Sequence, residues 1–289
     1  MNVKYKGPAK LVQDVEAALD ELAGRLTITH QEVDSHCILQ IDGFADRDVQ
    51  DAIAVYLVSL ICQSVQANLQ VRNALFNEDT FDRDVRRDVV SVIGKKSATG
   101  RFKTYRRDPW IWEGICHLFI HLSVSSKDYH PSGRVLAKTS VKYDVLDHGL
   151  DLIAIYRAAN LGISAGECKA YFSDPSRAIQ HAAAALSEVD TNVREMEIRA
   201  AVSQLRSALS PTNQSKLADA FWREERTYFP FVCCDHDHAR DWTRGRTSLR
   251  SLKVPVSKRL LVPCSIKRAR KAFDNIAKAM RVYSRRSAP

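Results

Sequence analysis

Apolar residues recur at helical spacing in three stretches of the chain. Val12, Val15, Ala18, Leu19 and Leu22 predict a helix over about 12–26. A more apolar stretch predicts a second over 49–71. Ile266, Ala269, Phe273, Ile276, Ala277, Met280 and Tyr283 predict a last one over 266–283, whose other face is basic (Lys267, Arg268, Arg270, Lys271, Lys278, Arg281). Asp108-Pro109-Trp110 opens a further helix over 111–122. Asp174-Pro175 reads as a helix start, because Asp caps and Pro suits the first turn. Helix is expected from there to about Leu209, with a break near Asp190-Thr191-Asn192, and again over 216–222. Shorter apolar runs predict strands at 37–41 (closed by the Asp42-Gly43 turn), 150–156, 162–171, 228–234 and 260–264. Residues 124–142, with Pro131, Gly133 and many polar side chains, read as loop. This pattern predicts an α/β (α+β) chain with a mixed central sheet flanked by helices. A mostly helical segment, 1–100, carries no recognisable chemistry and is expected to bind a partner or regulate, with the chemistry in 101–289.

No stretch approaches the roughly 20 apolar residues of a membrane span, so no membrane role is expected. The first eight residues lack a signal peptide's apolar core. Seven cysteines, an odd number with no CxxC pair, argue for a reducing compartment, and a cytoplasmic location is expected. The net charge of +9 is uneven: residues 240–289 carry fifteen Lys/Arg and two acids, net +13, and the remainder is −4. Such asymmetry fits a polyanion partner as well as it fits a solvated basic surface. A second basic stretch, 94–107, interleaves Lys95, Lys96, Arg101, Lys103, Arg106 and Arg107 with Phe102 and Tyr105. It reads as an exposed linker or as a loop that tracks a nucleic-acid backbone.

The residues that carry chemistry lie at 149–169. Asp151 starts one strand, and Glu167 and Lys169 sit two apart in the next, on one face with Cys168 on the other. If the strands are adjacent, Asp151 and Glu167 converge on one hard cation, Mg²⁺ or Mn²⁺, and the Cys168 backbone carbonyl can join them. Lys169 would aim its point charge at a phosphate oxygen or an attacking water. Phosphodiester hydrolysis needs these three things: a cation, carboxylates to hold it, and a positive group. Glu113, on the helix just upstream, is a candidate outer ligand or an exposed first-turn acid favoured by the helix dipole.

An Asp followed after a short hairpin by Glu-x-Lys, with a helical Glu upstream and a helix downstream, resembles the PD-(D/E)XK nuclease superfamily. The phrases Gly149-Leu150-Asp151-Leu152-Ile153-Ala154-Ile155 and Gly166-Glu167-Cys168-Lys169-Ala170-Tyr171 more closely resemble the nuclease subunits of Hachiman anti-phage systems, over about residues 105–200. The resemblance implies a restriction-endonuclease-like fold and a metal-dependent DNase that works with a superfamily-two helicase on a separate chain. It places Mg²⁺ binding on Asp151 and Glu167, catalysis on Lys169, and the helical carboxylate on Glu113. Leu150 stands where the superfamily often has Pro.

Other candidates are weaker. Arg177 and Gln180 on the helix after the second strand could contact phosphate, though a helix surface explains them. Tyr171 could stack on a base or fill the core. Cys233-Cys234-Asp235-His236-Asp237-His238 has zinc-ligand types at poor spacing. Gly94-Lys95-Lys96-Ser97 lacks the upstream glycine of a phosphate-binding loop. Asp147-His148 could bring an imidazole near the site. The competing function is a non-catalytic nucleic-acid-binding or adaptor subunit, in which Glu167 and Lys169 form a structural ion pair. RNA as substrate also stays open, since a two-carboxylate metal site is indifferent to the 2′-hydroxyl.

Overall fold

The computed structural model describes residues 8–76, 81–124, 126–142, 149–217 and 225–286. In chain order its main elements begin with α1 (Pro8–Arg25), β1 (Thr27–Glu32), β2 (Cys37–Asp42), α2 (Arg47–Phe76), α3 (Phe81–Ile93) and α4 (Asp108–Leu122). They continue with β3 (Arg134–Lys138), β4 (Leu152–Arg157), β5 (Leu161–Ala170), α5 (Pro175–Asp190), α6 (Glu195–Arg206), β6 (Arg226–Asp235), β7 (Leu260–Ile266) and α7 (Ala269–Arg286). The described residues fall into two compact units. One lies within Met1–Leu26, Gly43–Ile111 and Arg270–Pro289, and the other within Thr27–Asp42 and Trp112–Ala269.

The second unit holds a seven-stranded mixed sheet in the order β1-β2-β7-β6-β5-β4-β3. The strands β2, β7, β6 and β5 run parallel to one another, β1 pairs antiparallel with β2 at one edge, and β4 and β3 continue antiparallel from β5 at the other. Burial explains the sequence: β6 is buried from Arg226 to Cys234, as a strand covered on both faces must be. Ile153, Ile155, Leu161, Ile163 and Ala165 pack on Ala178, Ile179, Ala183 and Leu186 of α5 in one core cluster. Asp174 caps α5 by accepting from Arg177 N, with Pro175 following. The predicted break falls at Thr191-Asn192, where Asn192 takes φ +62°.

Two readings differ from the expectation. Residues 134–138 form a strand rather than loop: β3 pairs antiparallel with β4 across an irregularity between Val135 and Ala137. A short, bulged edge strand ending in Lys138 has little alternation to betray it. The last helix begins at Ala269, because Ile266 completes β7 and Arg268 turns the chain with φ +56°. Asp235 Oδ2 then accepts from Ala269 N at 2.9 Å. The helix expected over 216–222 and the pair Asp147-His148 fall on or run into residues outside those described.

The first unit is helical. Leu22 of α1, Ile53, Leu57 and Ile61 of α2, Val89 of α3 and Phe273 of α7 are buried. The stretch Arg47–Val65 of α2 is long and apolar enough to cross a membrane, but most of it is buried inside the protein, as in a core helix. Residues 100–107 are helical, not a linker: a turn at Gly100–Phe102 runs into a π-helical turn at Lys103–Arg107.

Candidate active site

The hairpin that carries the chemistry is fixed by register. Leu152 pairs with Gly166 across β4 and β5, so the next step outward sets Asp151 opposite Glu167. Asp151 is held at both ends of the residue. Its Oδ2 accepts from Cys168 N at 2.8 Å, and its backbone carbonyl lies 3.2 Å from His117 Nε2. Cys168 thus presents its backbone to the Asp151 carboxylate, while its thiol is buried beside that of Cys116. Lys169 Nζ donates to Glu167 Oε1. The sequence-predicted Asp151, Glu167 and Lys169 are therefore brought together.

Glu113 joins them and is not an exposed first-turn acid. The helix starts at Asp108, so Glu113 lies a turn further in, where neighbouring Trp112, Ile115 and Cys116 are wholly buried. Glu113 is 7% exposed and Glu167 6%. One carboxylate oxygen of each, Glu113 Oε2 and Glu167 Oε2, is buried with no hydrogen-bond partner. Burial and then the Asp151 charge push Glu113 up to about 8. The same two causes push Glu167 up to about 7, and burial raises Asp151. Lys169 is pulled down by burial, but Glu167 and Asp151 more than offset this and raise it overall. Three acids that disfavour each other's ionisation inside a buried site need a counter-charge.

Two contributors escaped the sequence reading. The positive charge of Lys142 favours the ionised forms of Glu113, Asp151 and Glu167, though less than burial opposes them. Glu197 of α6 accepts from Leu150 N and adds negative charge beside Asp151, while Arg194 ties it down at 3.1 Å. Glu197 lies too far from the motif in sequence for spacing to reveal it, and Lys142 stands at the end of a polar stretch with no pattern to mark it. They also explain the glycine of Gly149-Leu150-Asp151. Gly149 has φ +134°, and a Cβ there would land against Glu197 Oε1 and 3.1 Å from Lys142 Nζ. Gly149→Ala is expected to cost about 1–3 kcal/mol of stability from backbone strain alone, read as a lower urea midpoint with unchanged slope. An unaltered midpoint would remove this role for Gly149.

The remaining candidates separate from the site. Arg177 and Gln180 are exposed on α5. Tyr171 is half-buried, with its hydroxyl 2.9 Å from His181 Nδ1. Cys233 and Cys234 are buried in β6, with Cys233 opposite Cys264, and do not converge with His236 and His238 on an ion. His130 is a core residue, 2.6 Å from Ser164 Oγ and flanked by the Tyr156 and Phe229 rings.

Among the described residues no three His, Cys, Asp or Glu side chains already stand at metal-binding spacing. The donor set nevertheless suits a hard cation. It offers all-oxygen ligands, two unpartnered buried carboxylate oxygens, and three acids against Lys169 and Lys142. Compared with models of known protein families and with curated protein sequences, the chain matches none.

Proposed function

We propose that the chain is a Mg²⁺-dependent deoxyribonuclease, an endonuclease with Asp151, Glu167, Lys169 and Glu113 as its active site. The observation that carries this reading is the buried acid cluster, in which Glu113 Oε2 and Glu167 Oε2 lack partners beside a lysine that is itself partly exposed. A structural ion pair alone would not account for three carboxylates there. Asp151 and Glu167 would hold the cation, with the Cys168 carbonyl as a further ligand and Glu113 as the outer one. When bound, Mg²⁺ or Mn²⁺ supplies Lewis acidity toward the phosphate and lowers the pKa of water. Lys169 steadies the attacking water or a phosphate oxygen through its ammonium. Water oxygen adds to phosphorus, the bridging P–O bond breaks, and the water proton ends on the departing oxygen. His117 and Cys168 N keep Asp151 in place throughout.

A mixed sheet whose antiparallel hairpin carries the acids, followed by a capped helix, supports placing the chain in the PD-(D/E)XK superfamily. The anti-phage role, the superfamily-two helicase partner and the cytoplasmic location rest on the sequence resemblance and composition described above. A second reading is the non-catalytic adaptor, favoured by the Lys169–Glu167 ion pair, in which the lysine has a carboxylate partner within its own strand. Calorimetry separates the two. Mg²⁺ is expected to bind the parent and to bind Asp151→Asn at least about tenfold more weakly. Labelled DNA and RNA incubated side by side with Mg²⁺, with EDTA as control, should show loss of the DNA only when the cation is present. Absence of Asp151-dependent binding would leave the adaptor reading standing, and cleavage of RNA alone would change the substrate.

A further inference from the structure

We propose that the helical unit carries a separate binding surface for an unpaired nucleic-acid strand, formed where residues 94–107 lie along one stripe of α7. This reading is independent of the Asp151 site, because it concerns binding by the other unit.

The two stretches are more than 160 residues apart in sequence and are joined at two points. Arg281 Nη1 donates to the Gly94 carbonyl at 3.0 Å. Asp274 Oδ1 accepts from Arg107 Nη1 at 2.5 Å and lies 3.1 Å from Lys103 Nζ. Lys271, Asp274, Lys278, Arg281 and Arg285 recur at spacings of three and four, so they share one face of α7. The apolar face, with Phe273, Ile276 and Met280, is buried. Residues 94–107 contain six cations and no acid, and residues 270–286 contain six cations and Asp274 alone. Asp274 is already engaged by Lys103 and Arg107. Lys95, Lys96, Arg101, Lys271, Lys278 and Arg285 on the two stretches are exposed.

The crowding is felt inside the surface. Burial, and then the positive charges of Arg107 and Arg285, hold Arg281 below its ordinary value, and Arg281 Nε is buried without a partner. Juxtaposed like charge of this kind is relieved by a polyanion. The aromatic content selects among polyanions. Tyr105 sits in the π-helical turn between Lys103 and Arg106, and is 69% exposed. A π turn is rare and often functional. Here the Asp274 clamp fixes Lys103 and Arg107 on either side of Tyr105. An exposed ring flanked by cations is the arrangement on which unpaired bases stack. A lipid surface would need a free apolar face, and that of α7 is taken up by the core.

The test is fluorescence anisotropy of a labelled single strand of about twenty nucleotides, with the full chain in EDTA so that nothing is cleaved. Tyr105→Ala should weaken binding about tenfold, and Tyr105→Phe should not. Lys278→Gln with Arg285→Gln should flatten the dependence of log affinity on log salt by about 0.7 per cation removed. Asp151→Asn should bind as the parent does. The three positions altered on this surface, Tyr105, Lys278 and Arg285, are exposed, so circular dichroism should match the parent. A parent-like affinity for Tyr105→Ala, an unchanged salt slope, or loss of binding in Asp151→Asn alone would overturn the proposal. Equal Tyr105 dependence with the matching duplex would overturn the preference for an unpaired strand.

Discussion

Lys169→Ala is expected to lower Mg²⁺-dependent DNA cleavage by on the order of 10²–10³-fold, the scale for removing one preorganised charge from a reacting centre. The residue has two jobs that must be told apart. It pairs with Glu167 in a half-closed site, its side chain 23% exposed against 8% for Glu167. It also points the one ammonium of the hairpin at the place where Asp151 and Glu167 meet. Loss of the pair leaves Glu167 buried without its cation, but the carboxylate can take a proton instead, since it titrates near 7 already. The fold should therefore survive, most easily at slightly acidic pH. Lys169→Arg decides between the jobs. An arginine keeps the charge and the pair with Glu167, yet replaces a compact ammonium with a planar fork. If the lysine is only half of an ion pair, Lys169→Arg restores whatever Lys169→Ala loses. If it acts on the phosphate or the water, Lys169→Arg stays impaired in cleavage while matching the parent in thermal unfolding. Full cleavage by Lys169→Ala would remove the residue from the active site.

How much of this was readable in the chain depends on whether a feature is local. Glu167 and Lys169 share a face because strands alternate, and Asp174-Pro175 caps α5 because of what those two side chains are. Such features need no knowledge of the fold. The strands with long apolar runs, β4 to β7, were legible for the same reason. β3 was not, since Arg134–Lys138 is five residues with a charge at each end and owes its form to the edge of β4. α3 is hard to read from the sequence although Val85, Val89 and Val92 recur on one side, because charged residues crowd between them. The status of Glu113 turned on burial. A carboxylate in the second turn of a helix is ordinary when exposed and costly when enclosed, and only packing distinguishes the two. Lys142 and Glu197 reach the site from other segments, so the charge balance around Asp151 is a property of the assembled unit. The juxtaposition of residues 94–107 with α7 is of the same kind: two basic stretches were visible, their contact was not.

That charge balance leads to a prediction about stability. Without divalent cations, the protein should lose about 1–2 kcal/mol of unfolding free energy between about pH 6.5 and pH 8, and Mg²⁺ should recover it. Glu113 is raised to about 8 and Glu167 to about 7, whereas both would titrate near the ordinary glutamate value when unfolded. In this window these two side chains hold more protons in the folded chain than in the unfolded one. Stability therefore falls as pH rises, and the loss is complete above the folded values. The acids titrate as a cluster, so the curve reports their sum. Other groups limit the window. Buried His117 and His130 are lowered to about 3 and about 4, so below about 6.5 the unfolded chain gains protons that they refuse, and stability falls toward acid. Lys138, lowered to about 8 by burial, adds stability only above that pH. Mg²⁺ competes with protons for the same oxygens, so its stabilisation should be larger near pH 8 than near 6.5. A concentration a hundredfold above Kd would contribute about 2.7 kcal/mol. Urea midpoints at both pH values, with EDTA and with Mg²⁺, measure this directly. Glu113→Gln should flatten the pH dependence, since it removes the more strongly raised of the two glutamates, and should weaken the response to Mg²⁺. A parent that shows the pH dependence but no response to Mg²⁺ would mean that the acids are buried together for a reason other than holding a cation. A parent equally stable at both pH values in EDTA would mean that burial and mutual repulsion do not raise Glu113 and Glu167.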